Sequence, residues 1–190
     1  MNVDPHNSSM NNDNLKKRLK SSSLIAMNAL SKLDLINFII EGYESNDPIM
    51  SNNHFLFSVS NNFYKLVILD LHALYGKATK MNKWSFQHFI KHQELWQDLN
   101  ALMEVQIILD NNSTNAGDIA ILRDKEIAHQ DLDSGPVIKF NTDKLDILNS
   151  MANDSIKIIQ LIAGSIGAET DFDRDHTELD AVKELVGHER

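Results

Sequence analysis

Apolar side chains follow most of this chain at the spacing of one helix face, with polar side chains between them. The first such row runs from Leu15 to Tyr43, and the sequence Ser-Asn-Asp-Pro at 45–48 then ends it. No alternating segment longer than a few residues indicates a strand. The further rows predict helices over about residues 52–80, 93–110, 119–130 and 142–164, and residues 84–90 are expected to form a short helix or an aromatic plug. The pattern therefore predicts an all-α fold, an antiparallel bundle of four to five main helices.

A break is predicted in the middle of the chain, at residues 111–117 (Asn-Asn-Ser-Thr-Asn-Ala-Gly). These residue types offer the backbone alternatives that compete with a helix, and Asp118 is then the expected N-cap of the next helix. The aromatic residues at helical spacing, both tryptophans included, are expected in the core rather than on a surface that stacks nucleic-acid bases. The side chains expected inside the helix before the break are Leu95, Trp96, Leu99, Leu102, Met103 and Ile107.

The length of 190 residues suits one domain with loose ends. Residues 1–14 contain almost nothing that can be buried and predict a disordered leader. Residues 15–168 form the predicted helical bundle, and residues 169–190 form an acidic tail in which eight carboxylates outnumber three basic side chains. The capping-box spacing of Thr177 and Asp180 allows one more short helix in that tail.

The charge and composition exclude several classes of function. With 18 basic and 27 acidic residues the net charge is −9, so wrapping long nucleic acid through bulk charge is not expected, and neither is a DNA partner. The chain has no cysteine, which excludes disulfides, thiolate catalysis and cysteine-ligated metal sites. No apolar run approaches 18 residues and the leader lacks the apolar middle of a secretory signal, so we expect a cytoplasmic protein without a membrane span.

The strongest chemical signal is the segment 122–131, Leu-Arg-Asp-Lys-Glu-Ile-Ala-His-Gln-Asp. An arginine grips a phosphate with two parallel hydrogen bonds and keeps its charge, and a histidine gives or takes a proton near neutral pH. Arg123 and His129 together therefore suit cleavage of an RNA phosphodiester, with the imidazole moving the proton and the guanidinium stabilising charge on the phosphoryl oxygens. This chemistry needs no metal and no cofactor, and none is predicted.

The spacing within this segment also bears on the oligomeric state. On an ideal helix six residues turn through about 600°, so Arg123 and His129 point about 120° apart. One protomer does not easily direct both side chains at one atom, whereas two copies that meet across a two-fold axis do. The spacing therefore predicts a homodimer with a composite site.

The same residues resemble a known family. An arginine followed by a polar residue, with four to six residues between the arginine and a histidine near the end of a helical bundle, is the signature of the HEPN superfamily. The string 122–131 is most similar to the abortive-infection AbiU-type branch, and residues 63–110 resemble it as pattern only. The resemblance implies an all-α bundle that dimerises through its motif helices. It also implies metal-independent endoribonuclease activity in phage defence or a toxin–antitoxin system, with an RNA substrate and an antitoxin protein as partners.

Carried over by position, the resemblance makes Arg123 and His129 the catalytic pair and Asp124 the supporting polar residue. Asp124 stands where asparagine is common, and an anion there can orient the arginine or weaken its attraction for RNA. Many members of the family are not catalytic. The alternative function is therefore a helical interaction module that binds a partner protein or a nucleotide. In that case Glu126 can hold Arg123 in an ion pair, and His129 can satisfy carbonyl groups at a helix end.

Two metal sites are weaker candidates. His88 and His92 have the i, i+4 spacing of helical zinc ligands with Glu94 nearby, but no third ligand is evident. Residues 171–175 begin like a calcium loop, yet His176 and Val182 stand where that loop needs glycine and glutamate.

The basic side chains outside the motif are expected to be solvated charges, with RNA phosphates as the alternative partner. They are Lys16, Lys17, Arg18 and Lys20 near the start of the chain, and Lys77, Lys80 and Lys83 in a basic connector.

Overall fold

The structure, a computed structural model, describes residues 10–51, 53–124, 142–170, 172 and 176–187. These residues form seven α-helices and one 3₁₀ turn and contain no strand, which confirms the all-α prediction. The helices are α1 (Asn12–Glu44), α2 (His54–Tyr75), α3 (Phe86–Ile90), α4 (Leu99–Asn111), α5 (Ser113–Leu122), α6 (Thr142–Ile166) and α7 (Thr177–Leu185), and the 3₁₀ turn is Gln93–Leu95.

Hydrogen bonds between distant residues show that α1 and α6 run antiparallel. The Asn12 side chain, at the start of α1, donates to the carbonyl of Ile166 at the end of α6 over 3.3 Å. Asn37, near the end of α1, exchanges hydrogen bonds with Asn149, near the start of α6. Side chains of α1, α2, α4, α5 and α6 meet between the helices in one main core.

Hydrogen bonds also show that α4 runs antiparallel to α6. The Asp98 amide, just before α4, donates to Ser165 Oγ over 3.0 Å at the end of α6. Asn112, just after α4, donates to Asp154 over 2.8 Å, closer to the middle of α6. The end of α4 and the start of α5 are thereby fixed against the core.

The acidic tail is partly helical. Within it α7 packs against α1 and the start of α2, and Leu179 and Val182 of α7, with Val186 just after it, join Leu35 and Leu56 in a second, smaller core. At the other end of the chain α1 begins at Asn12, three residues before the predicted start of the bundle, and the Asn11 side chain caps it. Residues 1–9 of the predicted leader lie outside the described residues.

Among the described residues, α1 is the one helix long and apolar enough, by length and composition, to cross a membrane. No such segment was expected from the sequence. Half of the apolar window is buried inside the protein, and Lys32 pairs with Asp70 of α2 over 2.8 Å. A core helix of a globular protein meets the same test, so the window alone does not indicate a membrane protein.

The predicted break at 111–117 is wrong, because α5 begins at Ser113 and only Asn112 separates it from α4. Asn112 is buried and its side chain donates to the Ile108 carbonyl as well as to Asp154. These tertiary contacts outweigh the weak helix propensity of the segment. Asp118 consequently lies inside α5 and is not its N-cap.

The predicted helix over 93–110 is divided. Residues 93–95 form the 3₁₀ turn, and Asp98 caps α4 by accepting from the amides of Asn100 and Ala101. Between them the buried Trp96 donates from Nε1 to the Phe89 carbonyl over 3.1 Å, which holds the chain out of a helix. The predicted helix over 52–80 likewise ends early, at Tyr75.

The buried face of α4 also differs from the prediction. Leu99, Met103 and Ile107 were expected inside and are exposed. The helix begins six residues later than predicted, so its orientation is set by contacts with α6 and not by a continuous row from Leu95. The side chains it buries are Ala101, Leu102, Val105, Ile108 and Leu109.

Candidate functional site

Arg123 lies at the C-terminal end of α5, where it is the C-cap residue. Its side chain is partly exposed, and both Nε and Nη2 donate to Asp124 Oδ1, the first of them over 2.9 Å. Asp124 thus engages two of the five N–H donors of the guanidinium and fixes the plane of the group. Arg123 and Asp124 are therefore adjacent in space as well as in sequence.

The remaining member of the predicted pair, His129, lies outside the described residues, as does Glu126. The segment that was expected to form one helix with both members of the pair, 119–130, is described only as far as Asp124, and α5 ends within it at Leu122. The angle of about 120° between Arg123 and His129 was calculated for an ideal helix and stays a prediction.

His72 lies close to Arg123, although sequence reasoning did not select it. It occupies the last turn of α2 and lines the same cavity as Arg123. Burial lowers the pKa of His72, the positive charge of Arg123 lowers it further, and the carboxylate of Asp124 opposes this. The imidazole is therefore neutral at neutral pH and can accept a hydrogen bond or a proton. No local motif in the sequence marks His72, because its neighbour is 51 positions away.

The cavity that joins these residues has a volume of about 650 Å³. Its walls come from the end of α2, the connector that follows it and one side of α5. Among the side chains that line it are His72, Lys77, Asn82, Trp84 and Arg123. A volume in this range is typical of sites for small ligands.

The connector between α2 and α3 is held by its own hydrogen bonds. Ser85 Oγ donates to the Gly76 carbonyl and so closes the two ends of the loop, and the Asn82 amide donates to Thr79 Oγ1 over 3.0 Å. Gly76 is required here, because a β-carbon would lie 2.5 Å from the carbonyl oxygen of His72. These contacts fix the conformation of the connector, which forms one wall of the cavity.

Trp84 lies at the end of this connector, and the prediction that it belongs to the core is wrong. Its side chain is 42% exposed, whereas Trp96 is buried as predicted. Ser22 Oγ of α1 donates to the Trp84 carbonyl over 2.8 Å, which fixes the backbone while the indole faces the cavity and solvent.

His88 and His92 are close together, with ring centroids 4.9 Å apart, but their surroundings are cationic. The Arg18 guanidinium contacts His88 Nε2, and His92 Nδ1 lies 3.2 Å from Glu94 Oε1. Burial, with further contributions from Arg18 and other nearby bases, lowers the pKa of His88 to about 4. Since a neighbouring guanidinium repels a metal ion, this pair is a poor zinc site.

Metal ligands do not gather elsewhere in the described part of the chain, where no group of three or more histidine or acidic side chains is placed to hold an ion. The calcium-like residues 171 and 173–175 lie outside the described part.

Comparisons with models of protein families, with curated protein sequences and with solved structures find no match to this chain.

Proposed function

We propose that this protein is a metal-independent endoribonuclease of the HEPN type, acting as a homodimer in phage defence or a toxin–antitoxin system. The observation that supports this most is the position of Arg123, which lines a cavity of about 650 Å³ at the end of α5 together with His72. An arginine at the wall of a cavity of this size suits an anionic ligand better than a purely structural role.

Each motif residue has a part in this proposal. Arg123 binds the scissile phosphate and stabilises the charge that develops on its oxygens. His129 removes the proton of the attacking 2′-hydroxyl or protonates the leaving oxygen, and the products carry 2′,3′-cyclic phosphate ends. Asp124 positions Arg123, since its contacts with Nε and Nη2 hold the guanidinium in one orientation.

The substrate in this proposal is single-stranded or looped RNA, because a protein with a net charge of −9 is poorly suited to a long duplex. The site is composite, with Arg123 of one protomer and His129 of the other. The protein is cytoplasmic, and an antitoxin protein is its expected regulatory partner.

Cleavage of RNA by purified protein in EDTA tests this proposal. Wild type is expected to cut single-stranded RNA and leave 2′,3′-cyclic phosphate ends. Arg123→Ala and His129→Ala are expected to lose at least about 100-fold in rate. The matched controls Lys157→Ala and His54→Ala remove an exposed cation of α6 and an exposed imidazole at the start of α2, and they are expected to cut like wild type. Equal cleavage by all variants would contradict the proposal.

The second candidate function is a non-catalytic helical module that binds a partner protein or a nucleotide. Two observations favour it: Asp124 already engages Arg123, and the side chains of Leu99, Met103 and Ile107 form an exposed apolar row on α4. If a folded, dimeric wild type cuts none of a varied set of RNAs, this module becomes the better account.

A further inference from the structure

A second cavity adjoins the one that contains Arg123. It has a volume of about 400 Å³ and lies between the connector, α3 and the junction of α4 with α5. The two cavities share Tyr75, Lys77 and Ala116 in their walls, so they lie side by side, and the surface that they form together is called the depression. Lys91, at the end of α3, lines the far part of it.

The charge along this depression is opposite to that of the protein as a whole. Three of the side chains that line it are cationic, Lys77, Lys91 and Arg123, and one is acidic, Asp110, while Asp124 beside Arg123 adds a second carboxylate at its edge. The chain carries a net charge of −9, so a local excess of positive charge is a specific feature of this surface. Such an excess attracts a polyanion, as the backbone of a nucleic acid does.

Further cations flank the same surface. The pKa of His88 is lowered in part by the positive charges of Arg18, Lys91 and Lys83, which places all three near α3. Lys83 directly precedes Trp84 in the connector. Lys83 therefore adds a cation at the position next to the exposed indole.

The exposed indole of Trp84 adds a flat apolar surface to these charges. It lines the larger cavity, as Lys77 and Arg123 do, and hydrogen bonds from Ser22 and within the connector fix its backbone. An aromatic face beside cations that follow a groove is how proteins bind single-stranded nucleic acid, because the base stacks while the phosphates meet the charges.

We propose that this depression is a channel for single-stranded RNA, in which Lys77 and Lys91 bind phosphates and Trp84 stacks one base, on the strand that leads away from Arg123. We call it the basic channel, defined by Lys77, Trp84, Lys91 and Arg123. The inference rests on the proposed function, since it assigns residues that hold the substrate of the same site. The channel binds a strand without reading its sequence, because none of these contacts distinguishes one base from another.

Binding of a 2′-fluoro single-stranded RNA of about 12 nucleotides tests the channel, because this probe lacks the attacking hydroxyl and wild-type protein cannot cleave it. Fluorescence anisotropy of the labelled probe is measured from about 50 to about 200 mM salt. The Lys77→Gln/Lys91→Gln variant is expected to bind about tenfold more weakly and to lose about 1.4 from the salt slope, since each contact with a single strand contributes about 0.7. The control Lys157→Gln/Lys183→Gln removes the same charge from α6 and α7 and is expected to bind like wild type.

Tryptophan fluorescence tests the stacking. The protein has two tryptophans, of which Trp96 is buried. The probe is expected to quench the emission of wild type and not that of Trp84→Phe, and Trp84→Ala is expected to bind about tenfold more weakly. Equal losses of affinity in Lys77→Gln/Lys91→Gln and in the control Lys157→Gln/Lys183→Gln would overturn the channel. So would quenching that persists in Trp84→Phe, or competition by polyglutamate or duplex RNA as strong as that by the single strand.

The outcome separates this inference from the proposed function. If wild type cuts no RNA yet binds the probe through Lys77, Lys91 and Trp84, the nuclease proposal fails and the channel stands. If wild type cuts RNA in a way that depends on Arg123 and His129 while the channel variants bind the probe normally, the nuclease proposal stands and the channel is wrong.

Discussion

Burial and charged neighbours change the pKa of single side chains in this protein, and His88 shows this most clearly. Its ring contacts the guanidinium of Arg18, and burial and nearby cations lower its pKa to about 4. The ordinary pKa of histidine is about 6.5, so the folded protein keeps His88 neutral in a pH range where the unfolded chain protonates it. Arg18, expected to be a solvated charge, is instead partly buried against this ring.

His88 should therefore make the folded state sensitive to mild acid. At pH 7.5 both states hold a neutral ring, and as the pH falls from about 6.5 towards 4 the unfolded state binds the extra proton, so the free energy of unfolding falls. Between pH 7.5 and 5 we expect the free energy of unfolding of His88→Gln to fall by about 1 kcal/mol less than that of wild type, after allowance for screening by solvent. Urea unfolding at both pH values measures this. Equal losses in the two proteins would show that His88 titrates normally.

Arg123 shows which site residues a local sequence motif can predict. The sequence singled out Arg123 and Asp124, and the structure places their side chains in contact. His72 was not selected from the sequence, and Trp84 was predicted in the core. Both line the cavity because the fold brings distant segments together, and no neighbour in the sequence indicates this. A pattern of spacing records which side chains share a helix face. It does not record which helix end meets which loop.

At the scale of the elements, apolar spacing predicted where helices occur and failed where tertiary contacts decide their limits. The rows of α1 and α6 are long, and their predicted apolar positions are buried or partly buried. The start of α4 depends on the capping side chain of Asp98, and the junction of α4 with α5 depends on Asn112 and its contact with Asp154. Neither contact is visible in the local sequence.

The corrected face of α4 leads to a test on two consecutive residues. Leu102 is 6% exposed and lies in the main core, whereas Met103 is 51% exposed although it was predicted inside. Leu102→Ala should lower the free energy of unfolding by about 2–5 kcal/mol, because it removes buried methyl groups and leaves a cavity. Met103→Ala should change it by less than about 0.5 kcal/mol. Denaturant unfolding of the two variants checks this, and a larger cost for Met103→Ala would mean that the helix is turned the other way or that this face is covered in solution.

At the scale of the whole molecule, the bundle brings together groups from distant parts of the sequence. The antiparallel packing of α1 against α6, and of α4 against α6, is fixed by contacts such as that of Asn12 with Ile166 and that of Asn112 with Asp154. The end of α2 then lies beside α5, and the cavity forms where the two meet the connector. The sequence predicted the fold class. It did not predict this cavity, whose walls come from segments about 40 residues apart.

The proposed ribonuclease site is formed by two protomers together, with Arg123 from one and His129 from the other. Coexpression of Arg123→Ala and His129→Ala chains with different tags, followed by purification of the mixed dimers, tests it most directly. A mixed dimer contains one intact site if the site is composite, so we expect it to cut RNA at about half the wild-type rate while both parent variants are inactive. A mixed dimer as inactive as its parents, beside an active wild type, would contradict the claim.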